Sequence, residues 1–287
     1  MPKPLALLAA VLLLAGCSAA QWMNSLTPHR GRAFPDIVYA EDTGLALDVY
    51  VPHVKGPLPV IVFFFPGRWM FGERADFRFV AEGILARGFV AVIPTYRHYP
   101  GARYPDFLYD SAQAVAWTRR NIDRYGGDRD NIFLMGHSSG AYNAAMITFD
   151  DQYLQSAGET PDWIRGVIGL AGPYDFPVDA LPEIKAIFGH APPGRSQPID
   201  FVDGDEPPLL LLHGEDDLSV DVANSRSLAR KVSSLGGSVE TVIYERLDHG
   251  YIVASLSPSV RFRDNPWDFI ESFVRRHASH VGVAGKG

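Results

Sequence analysis

Ser138 is the residue whose surroundings most strongly suggest chemistry, because a glycine lies two residues away on either side. It is the centre of the pentapeptide Gly136-His137-Ser138-Ser139-Gly140, which directly follows the apolar residues 132–135. A G-x-S-x-G sequence between a strand and a helix forms a nucleophile elbow, a sharp turn that exposes the serine hydroxyl above a sheet. The pattern predicts such an elbow here; the alternative is an ordinary Ser/Gly turn at the start of a helix.

A serine hydroxyl becomes a strong nucleophile when a histidine accepts its proton and a carboxylate orients that histidine. After an elbow of this type the acid precedes the histidine in the chain. Asp217 follows the apolar residues 209–212, and His249 follows the apolar segment 239–244, so both come at the carboxyl ends of predicted strands. We therefore predict a triad of Ser138, Asp217 and His249. The other candidates for the acid are Asp216 and Glu215.

The elements that must position these residues alternate between strands and helices. This alternation predicts an α/β fold with a mostly parallel central sheet flanked by helices, and antiparallel edge strands near the start. The predicted strands are 37–40, 45–51, 60–65, 89–93, 132–135, 165–170, 209–212 and 239–244. The predicted helices are 77–87, 106–125, 141–148, 220–235 and 267–277.

One long segment, between the strands near 170 and 209, interrupts the alternation. It contains several prolines and one short helical pattern at residues 181–188. Because loops of this length usually carry function, we predict that residues 173–206 form a small cap over the site, although a surface excursion remains the alternative. The predicted substrate-pocket residues are Tyr174, Phe176 and Phe188 from the cap, together with Trp69.

Length and charge restrict the class of protein. The 287 residues, 47% of them hydrophobic, are sufficient for one large domain with a well-buried core. The formal net charge of -7 argues against a nucleic-acid partner, since no basic stripe is available for phosphates. We recognise no metal-ligand cluster and no nucleotide-binding glycine motif, so we expect no metal and no cofactor.

The amino terminus predicts export. Lys3 precedes an apolar run at residues 5–14, which is too short to span a bilayer as a helix and is typical of a signal peptide. Leu14-Ala15-Gly16-Cys17 resembles the lipobox of bacterial lipoproteins, in which cleavage before the cysteine precedes its acylation. That resemblance implies a signal peptide at 1–16, lipidation of Cys17, a tether at 17–35 and a hydrolase domain at 36–280.

The same resemblance implies a location in the bacterial cell envelope. Ser18, directly after the cysteine, is the residue that accompanies sorting to the outer membrane, on its periplasmic side. The alternative is ordinary cleavage after residues 18–20, which would leave a soluble periplasmic or secreted protein.

Several motifs together resemble the α/β-hydrolase esterases that have a His-Gly-Gly-x-Trp oxyanion loop, a group that includes carboxylesterases, feruloyl-esterase-like proteins, isoprenylcysteine methylesterases and kynurenine formamidases. The resemblance covers residues 37–277. Its motifs are the elbow, His213-Gly214-x-x-Asp217-x-x-Val220, Asp248-His249-Gly250, and the series Tyr96-Arg97, Tyr104-Pro105, Asp110, Trp117 and Gly127-Asp128. It implies hydrolysis of carboxylic esters, with short acyl chains expected, through an acyl-enzyme on Ser138. In this alignment Arg97 and Asp110 are expected to form a structural brace rather than to act in catalysis.

The oxyanion loop departs from the family pattern. Alignment on Trp69 and Gly72 puts Phe65 at the family's histidine and Pro66 at its first glycine, and proline has no N–H to donate. The predicted oxyanion hole therefore uses the backbone amides of Gly67, Arg68 and Ser139. The Arg68 side chain would also bring a cation to the mouth of the site, which predicts a preference for acyl or leaving groups that carry negative charge.

Two other functions remain open. An amidase or peptidase could use the same triad, because the attack on the carbonyl is shared and only protonation of the leaving group differs. A membrane-tethered binding protein could retain the fold with a catalytically impaired site. For the esterase we expect a small-molecule ester as substrate, a membrane contact through acylated Cys17, and a monomer.

Overall fold

An eight-stranded sheet forms the centre of the protein. The computed structural model describes residues 19–260 and 265–279. The strand order is β1-β2-β4-β3-β5-β6-β7-β8; β1 and β2 are antiparallel to their neighbours, and the other six strands are parallel. The strands are β1 Gly31–Ala40, β2 Leu45–Pro52, β3 Leu58–Phe64, β4 Val90–Pro94, β5 Gly127–His137, β6 Ile164–Leu170, β7 Leu209–Gly214 and β8 Val239–Tyr244. This confirms the predicted α/β class and the antiparallel edge.

The longer helices follow the predicted alternation, and three short helices were not predicted. The helices are α1 Ala19–Leu26, α2 Arg78–Leu85, α3 Asp106–Asn121, α4 Ser139–Phe149, α5 Gln152–Ser156, α6 Pro182–Phe188, α7 Ala223–Ser234, α8 His249–Ala254 and α9 Pro266–His277. The addition in the catalytic region is α8, because His249 was predicted to lie in a loop. A 3-10 turn at Arg74–Phe77 precedes α2, and another at Ile122–Tyr125 forms the end of the predicted helix 106–125.

The order of the strands puts the helices on both faces of the sheet. The chain moves from β3 to β4 in one direction and from β4 to β5 in the other, and right-handed crossovers in opposite directions lie on opposite faces. Thus α2 lies on one face and α3 on the other. Trp267 of α9 lies beside Gly83 of α2, which places α9 on the same face as α2. The central strands are covered on both sides, and residues 60–65 are fully buried.

The segment predicted as a tether is folded against the domain. Residues 19–26 form α1, and β1 begins at Gly31, so the tether prediction for 17–35 is wrong over the described residues, and the domain extends further toward the amino terminus than residue 36. The Asn24 side chain donates to the carbonyl oxygens of Ala75 and Asp76 at 2.8 and 3.1 Å and accepts from the amide of Phe79 at 2.9 Å. Local composition could not indicate these contacts, because they join residues about fifty positions apart.

The remaining calls on the amino terminus, the signal at 1–16, Cys17 and Ser18, lie outside the described residues. Across the part of the chain that is described, no helix has the length and hydropathy needed to cross a membrane.

The predicted cap packs onto the domain at the carboxyl edge of the sheet. Its helix, α6, is linked to the start of α3 by a hydrogen bond from the amide of Tyr104 to the carbonyl of Ile187 at 3.2 Å. The Tyr142 hydroxyl of α4 donates to the carbonyl of Ser196 at 2.7 Å. Through these contacts the cap is held close to the elbow.

Candidate active site

Ser138 occupies a strained turn between β5 and α4. Its backbone has φ 54° and ψ -124°, a conformation that costs a non-glycine residue about 1–3 kcal/mol and that is concentrated at functional sites. A Cβ on Gly136 would lie 2.2 Å from the carbonyl oxygen of Gly140, and one on Gly140 would lie 2.0 Å from that of Phe64. Both glycines are therefore required for the turn, which confirms the predicted nucleophile elbow.

Asp217, and not its acidic neighbours, is joined to His249. Oδ2 of Asp217 accepts a hydrogen bond from Nδ1 of His249 at 2.7 Å. Oδ1 accepts from the amides of Ser219 and Val220 at 2.8 and 2.9 Å, which fixes the orientation of the carboxylate. Of the alternatives, Glu215 is paired with Arg226 on the surface, and the Asp216 side chain is exposed.

The charge of Asp217 is stabilised by its donors. Burial opposes ionisation, but hydrogen bonds from His213, His249 and the Val220 amide outweigh burial and hold the pKa of this carboxyl well below its usual range. Asp217 is therefore an anion at neutral pH. A negative acceptor fixes the proton of His249 on Nδ1, which leaves Nε2 as the basic nitrogen.

Local sequence explains how His249 reaches Asp217. The Asp248 side chain accepts from the amides of Gly250 and Tyr251, so it caps α8 and starts that helix at His249. A Cβ on Gly214 would lie 1.8 Å from the carbonyl oxygen of Leu247. The absence of a side chain at Gly214 lets the loop that carries His249 approach the end of β7.

Two further histidines lie at this site, and sequence analysis did not assign a role to either. The ring of His137, inside the elbow pentapeptide, lies 4.6 Å from that of His249 between centroids, with an interplanar angle of 40°. Burial, followed by the charge of His249, lowers the pKa of His137 well below its usual value, so this ring is neutral. His213 is fully buried beside Asp217. Their positions inside the elbow and inside the His-Gly-x-x-Asp motif were the only signals that could have indicated them.

The loop after β3 has the backbone geometry of a donor site. Gly67, Arg68 and Trp69 have consecutive positive φ angles of 149°, 55° and 58°. The carbonyl of Gly67 accepts from the amides of Met70 and Phe71, which closes the turn. Within residues 19–260 and 265–279, no acceptor pairs with the amides of Gly67, Arg68 or Ser139.

The same loop lies next to the elbow, because Gly140 contacts the carbonyl groups of both Phe64 and Phe65. The amide of Ser139 is also at the amino terminus of α4, where the helix dipole favours negative charge. These unpaired amides are therefore suited to bind an oxyanion.

Three of the four predicted pocket residues form one aromatic cluster. The Trp69 ring contacts Phe176 and Phe188 at centroid distances of 6.2 and 4.8 Å, and its Nε1 donates to Asn143 Oδ1 at 2.9 Å. Trp69 is 3% exposed and Phe188 is fully buried, while Phe176 is partly exposed. The cluster is thus a packed wall beside the elbow, with Phe176 as its accessible member.

Tyr174 does not join that cluster. It is 1% exposed, and its hydroxyl packs against the backbone of Gly169 and Gly172. Its ring fills the space left by two glycines at the end of β6, so the prediction that it faces substrate is wrong. An aromatic residue in a cap segment gives no indication of this packing, because the space is provided by another strand.

Arg68 and the Arg97–Asp110 pair have partners in the fold. The Arg68 side chain is half exposed, with NH1 3.5 Å from Oε1 of Glu183 on α6, so it links the oxyanion loop to the cap. Arg97 donates to both carboxylate oxygens of the buried Asp110, with NH2 to Oδ1 at 2.7 Å. This bidentate pair joins the end of β4 to α3, which agrees with the predicted structural brace.

Two cavities of about 570 and 520 Å³ lie at the amino-terminal ends of the parallel strands, and neither is lined by Ser138, Asp217 or His249. The described residues also contain no cluster of His, Cys, Asp and Glu that could hold a metal ion.

The order of the sheet and the strained turn at Ser138 between β5 and α4 are those of the α/β-hydrolase class. A family profile described as BD-FAE matches residues 47–232, more than half of the chain. The chain therefore belongs to the BD-FAE family of α/β-hydrolase esterases.

Individual relatives agree with that assignment. A probable isoprenylcysteine alpha-carbonyl methylesterase of Arabidopsis thaliana is 28% identical over 270 residues, which cover 84% of this chain and 55% of the relative. Esterase LipC of Mycobacterium tuberculosis is 30% identical over 233 residues, 73% of this chain and 56% of that protein. The chain thus spans little more than half the length of these curated relatives.

A solved structure, a truncated form of a carbohydrate esterase from gut microbiota, superposes with a TM-score of 0.73 at 18% identity. The superposition covers 87% of this chain and 97% of the chain of that esterase. At this identity the likeness supports the fold.

Proposed function

We propose that this protein is a serine hydrolase that cleaves carboxylic esters through an acyl-enzyme on Ser138. The observation that carries the proposal is the 2.7 Å hydrogen bond between His249 and Asp217, located at the same edge of the sheet as the strained elbow. In the proposed reaction Nε2 of His249 accepts the proton of the Ser138 hydroxyl as it attacks the ester carbonyl. The imidazolium then protonates the leaving alkoxide, and water releases the acyl group by the reverse use of the same groups.

The oxyanion is bound by backbone amides in this proposal. The negative oxygen of the tetrahedral intermediate accepts hydrogen bonds from the amides of Ser139, Gly67 and Arg68. Loss of one such donor typically costs 10²–10³ in rate. Pro66 does not prevent this arrangement, because the donors come from the two residues that follow it.

Short acyl chains are the substrates that the site favours. Trp69 and Phe188 are buried, and their rings pack against each other at 4.8 Å beside the elbow, which limits the apolar surface that an acyl chain could contact there. Phe176 offers the accessible apolar surface. The relatives named as methylesterase and esterase support small or simple ester groups as the substrate class.

The proposal is tested with p-nitrophenyl esters from acetate to palmitate, using the wild type, Ser138→Ala and the control Ser233→Ala, which removes an exposed hydroxyl of α7. We expect turnover on the short esters that is lost only in Ser138→Ala. Retention of full activity by Ser138→Ala would refute the assignment of the nucleophile.

Two measurements separate the alternatives. A matched ester and anilide pair with the same acyl group distinguishes an esterase from an amidase, because the anilide requires stronger protonation of its leaving group. A fluorophosphonate probe distinguishes both from a binding protein. We expect Ser138 to be labelled, whereas an impaired site would leave the folded protein unlabelled.

We also propose that Cys17 is acylated and holds the protein, as a monomer, at the periplasmic side of the outer membrane. Helix α1 begins two residues after Cys17 and contacts Ala75 and Asp76, which follow the oxyanion loop. Lipid on Cys17 would therefore hold the folded domain close to the membrane surface. We expect Cys17→Ser to release the protein from membranes and to abolish incorporation of labelled fatty acid; unchanged membrane association would contradict the proposal.

A further inference from the structure

The carboxylate of Asp217 has a second imidazole beside it, that of His213. Nε2 of His213 lies 3.3 Å from Oδ2 of Asp217, the same oxygen that accepts from His249. Both the His213 and Asp217 side chains are fully buried, so this contact is shielded from solvent. A hydrogen bond to a charged group in such surroundings is stronger than one at the surface.

The partners of His213 determine which nitrogen carries its proton. Nε2 is 3.0 Å from the carbonyl oxygen of Val220, which can only accept, so Nε2 is protonated and points between Val220 and Asp217. Nδ1 is 2.8 Å from the hydroxyl of Ser225, which can donate to it. Ser225 is fully buried on α7, and this network satisfies both ring nitrogens.

The network connects to the catalytic group through a single oxygen. Oδ1 of Asp217 is occupied by the amides of Ser219 and Val220, so Oδ2 must serve both His249 and His213. A second donor on Oδ2 holds the carboxylate plane in place and withdraws charge from the bond to His249. The Nε2 proton of His213 is thus shared between the carbonyl oxygen of Val220 at 3.0 Å and Oδ2 of Asp217 at 3.3 Å.

We propose that His213 is a positioning residue for the triad. Val220 and Ser225 fix its proton on Nε2, and this proton orients the Asp217 carboxylate and weakens the attraction of Asp217 for the proton of His249. This inference rests on the proposed esterase function. No contact between His213 and substrate is involved, because the ring is fully buried behind Asp217.

The test compares His213→Leu, which removes the donor, with His213→Gln, whose amide nitrogen can take the place of Nε2. We expect His213→Leu to lower kcat by roughly 10–100-fold, the loss typical of one hydrogen bond to a charged group. KM should change by less than about twofold, since the ring does not touch substrate. His213→Gln should recover most of the lost kcat, and His53→Leu, which removes an exposed histidine after β2, should have no effect.

The pH profile gives a readout that loss of packing would not change. Among the described residues, Asp217 from the loop after β7 and His137 from the end of β5 contact His249, and Asp248, the N-cap of α8, directly precedes it. Without the His213 donor, Asp217 attracts the proton of His249 more strongly. The acidic limb of kcat/KM should therefore move to higher pH in His213→Leu and return toward the wild-type position in His213→Gln.

Three results would overturn the inference. One is a kcat for folded His213→Leu within about threefold of the wild type with an unshifted acidic limb. Another is equal impairment of the Leu and Gln variants, which would indicate packing alone. If His213→Leu does not fold, as judged by thermal melting, Ser225→Ala takes its place: a smaller shift of the limb in the same direction is expected, and no shift refutes the role.

Ser138→Ala is measured in parallel to separate the two proposals. Activity that survives this substitution refutes the esterase proposal itself. If Ser138→Ala is inactive but the His213 variants have wild-type kcat and pH profiles, only the positioning role is refuted.

Discussion

Replacement of Asp217 by asparagine is expected to inactivate the enzyme by reversing the tautomer of His249. In the wild type, Oδ1 accepts from two backbone amides and Oδ2 accepts from Nδ1 of His249 at 2.7 Å. The oxygen of the introduced asparagine must replace Oδ1, because the opposite orientation would direct its NH₂ at both amides. That orientation would forfeit two hydrogen bonds, at a cost of about 2–6 kcal/mol.

The NH₂ group of the introduced asparagine then lies where Oδ2 was, 2.7 Å from Nδ1 of His249. Because this group donates, Nδ1 must accept, and the proton of His249 moves to Nε2. A protonated, neutral Nε2 cannot take the proton of Ser138. The same carboxylate-to-amide change in a Ser-His-Asp triad lowers kcat by about 10⁴-fold, or about 5.4 kcal/mol in activation free energy.

The assay is p-nitrophenyl acetate hydrolysis at saturating substrate, with Asp216→Asn as the control. Asp216 is the exposed neighbour, so its substitution removes the same charge without altering a hydrogen bond to His249. We expect Asp217→Asn to lose about 10⁴ in kcat and Asp216→Asn to remain within about twofold of the wild type. A loss below about tenfold in Asp217→Asn, or equal losses in the two variants, would refute the reasoning.

Further predictions concern packing, charge and pH. Gly214→Ala should reduce kcat by at least about tenfold while the protein stays folded. The Cβ of the introduced alanine would lie 1.8 Å from the carbonyl oxygen of Leu247 and would displace His249. Full activity of this variant would contradict the prediction. Arg68→Ala should lower kcat/KM for an ester with a carboxylate in its acyl group relative to a neutral isostere, and an unchanged ratio of the two would exclude a role for this cation. Asn24→Ala should lower the free energy of unfolding, measured with urea, by about 1–3 kcal/mol, because three backbone groups lose their hydrogen-bond partner. The control Ser25→Ala should change it little. Equal effects of the two substitutions would show that the Asn24 side chain does not hold α1 in place. The pKa of Asp217 is lower in the folded protein than in the unfolded chain, where it is about 4. The ionised carboxylate therefore adds to the free energy of unfolding above about pH 4, and this contribution is lost as the pH falls. The difference in the free energy of unfolding between the wild type and Asp217→Asn should accordingly become smaller on acidification.

Local pattern was sufficient for the order of the strands and longer helices and for the choice of candidate catalytic residues. The central strands are apolar runs, the predicted helices alternate with them, and Ser138, Asp217 and His249 all follow strands, so their approach at one edge of a parallel sheet could be expected. The glycines of the elbow were interpreted correctly for the same reason: the strain that they relieve involves neighbours within a few residues of each other and the adjacent strand.

Contacts between distant segments decided the rest. The amino-terminal residues 19–35 have the polar composition of a tether, yet Asn24 pairs with the backbone around residue 76. Tyr174 was expected to face substrate, but space left by Gly169 takes its ring into the core. The spacing of residues along the sequence cannot indicate such contacts, because they form only after the sheet has assembled.

The sequence by itself determined which residues could be nucleophile, acid and base, since those roles require particular side chains after particular strands. Only the tertiary structure decided which carboxylate pairs with His249, and that His213 and His137 surround this pair. The physical reason is that hydrogen bonds act over about 3 Å, whereas the position of a residue in the sequence predicts only which strand, helix or loop carries it. Selection of Asp217 over its two acidic neighbours required the amides of Ser219 and Val220, the buried ring of His213 and the close approach permitted by Gly214.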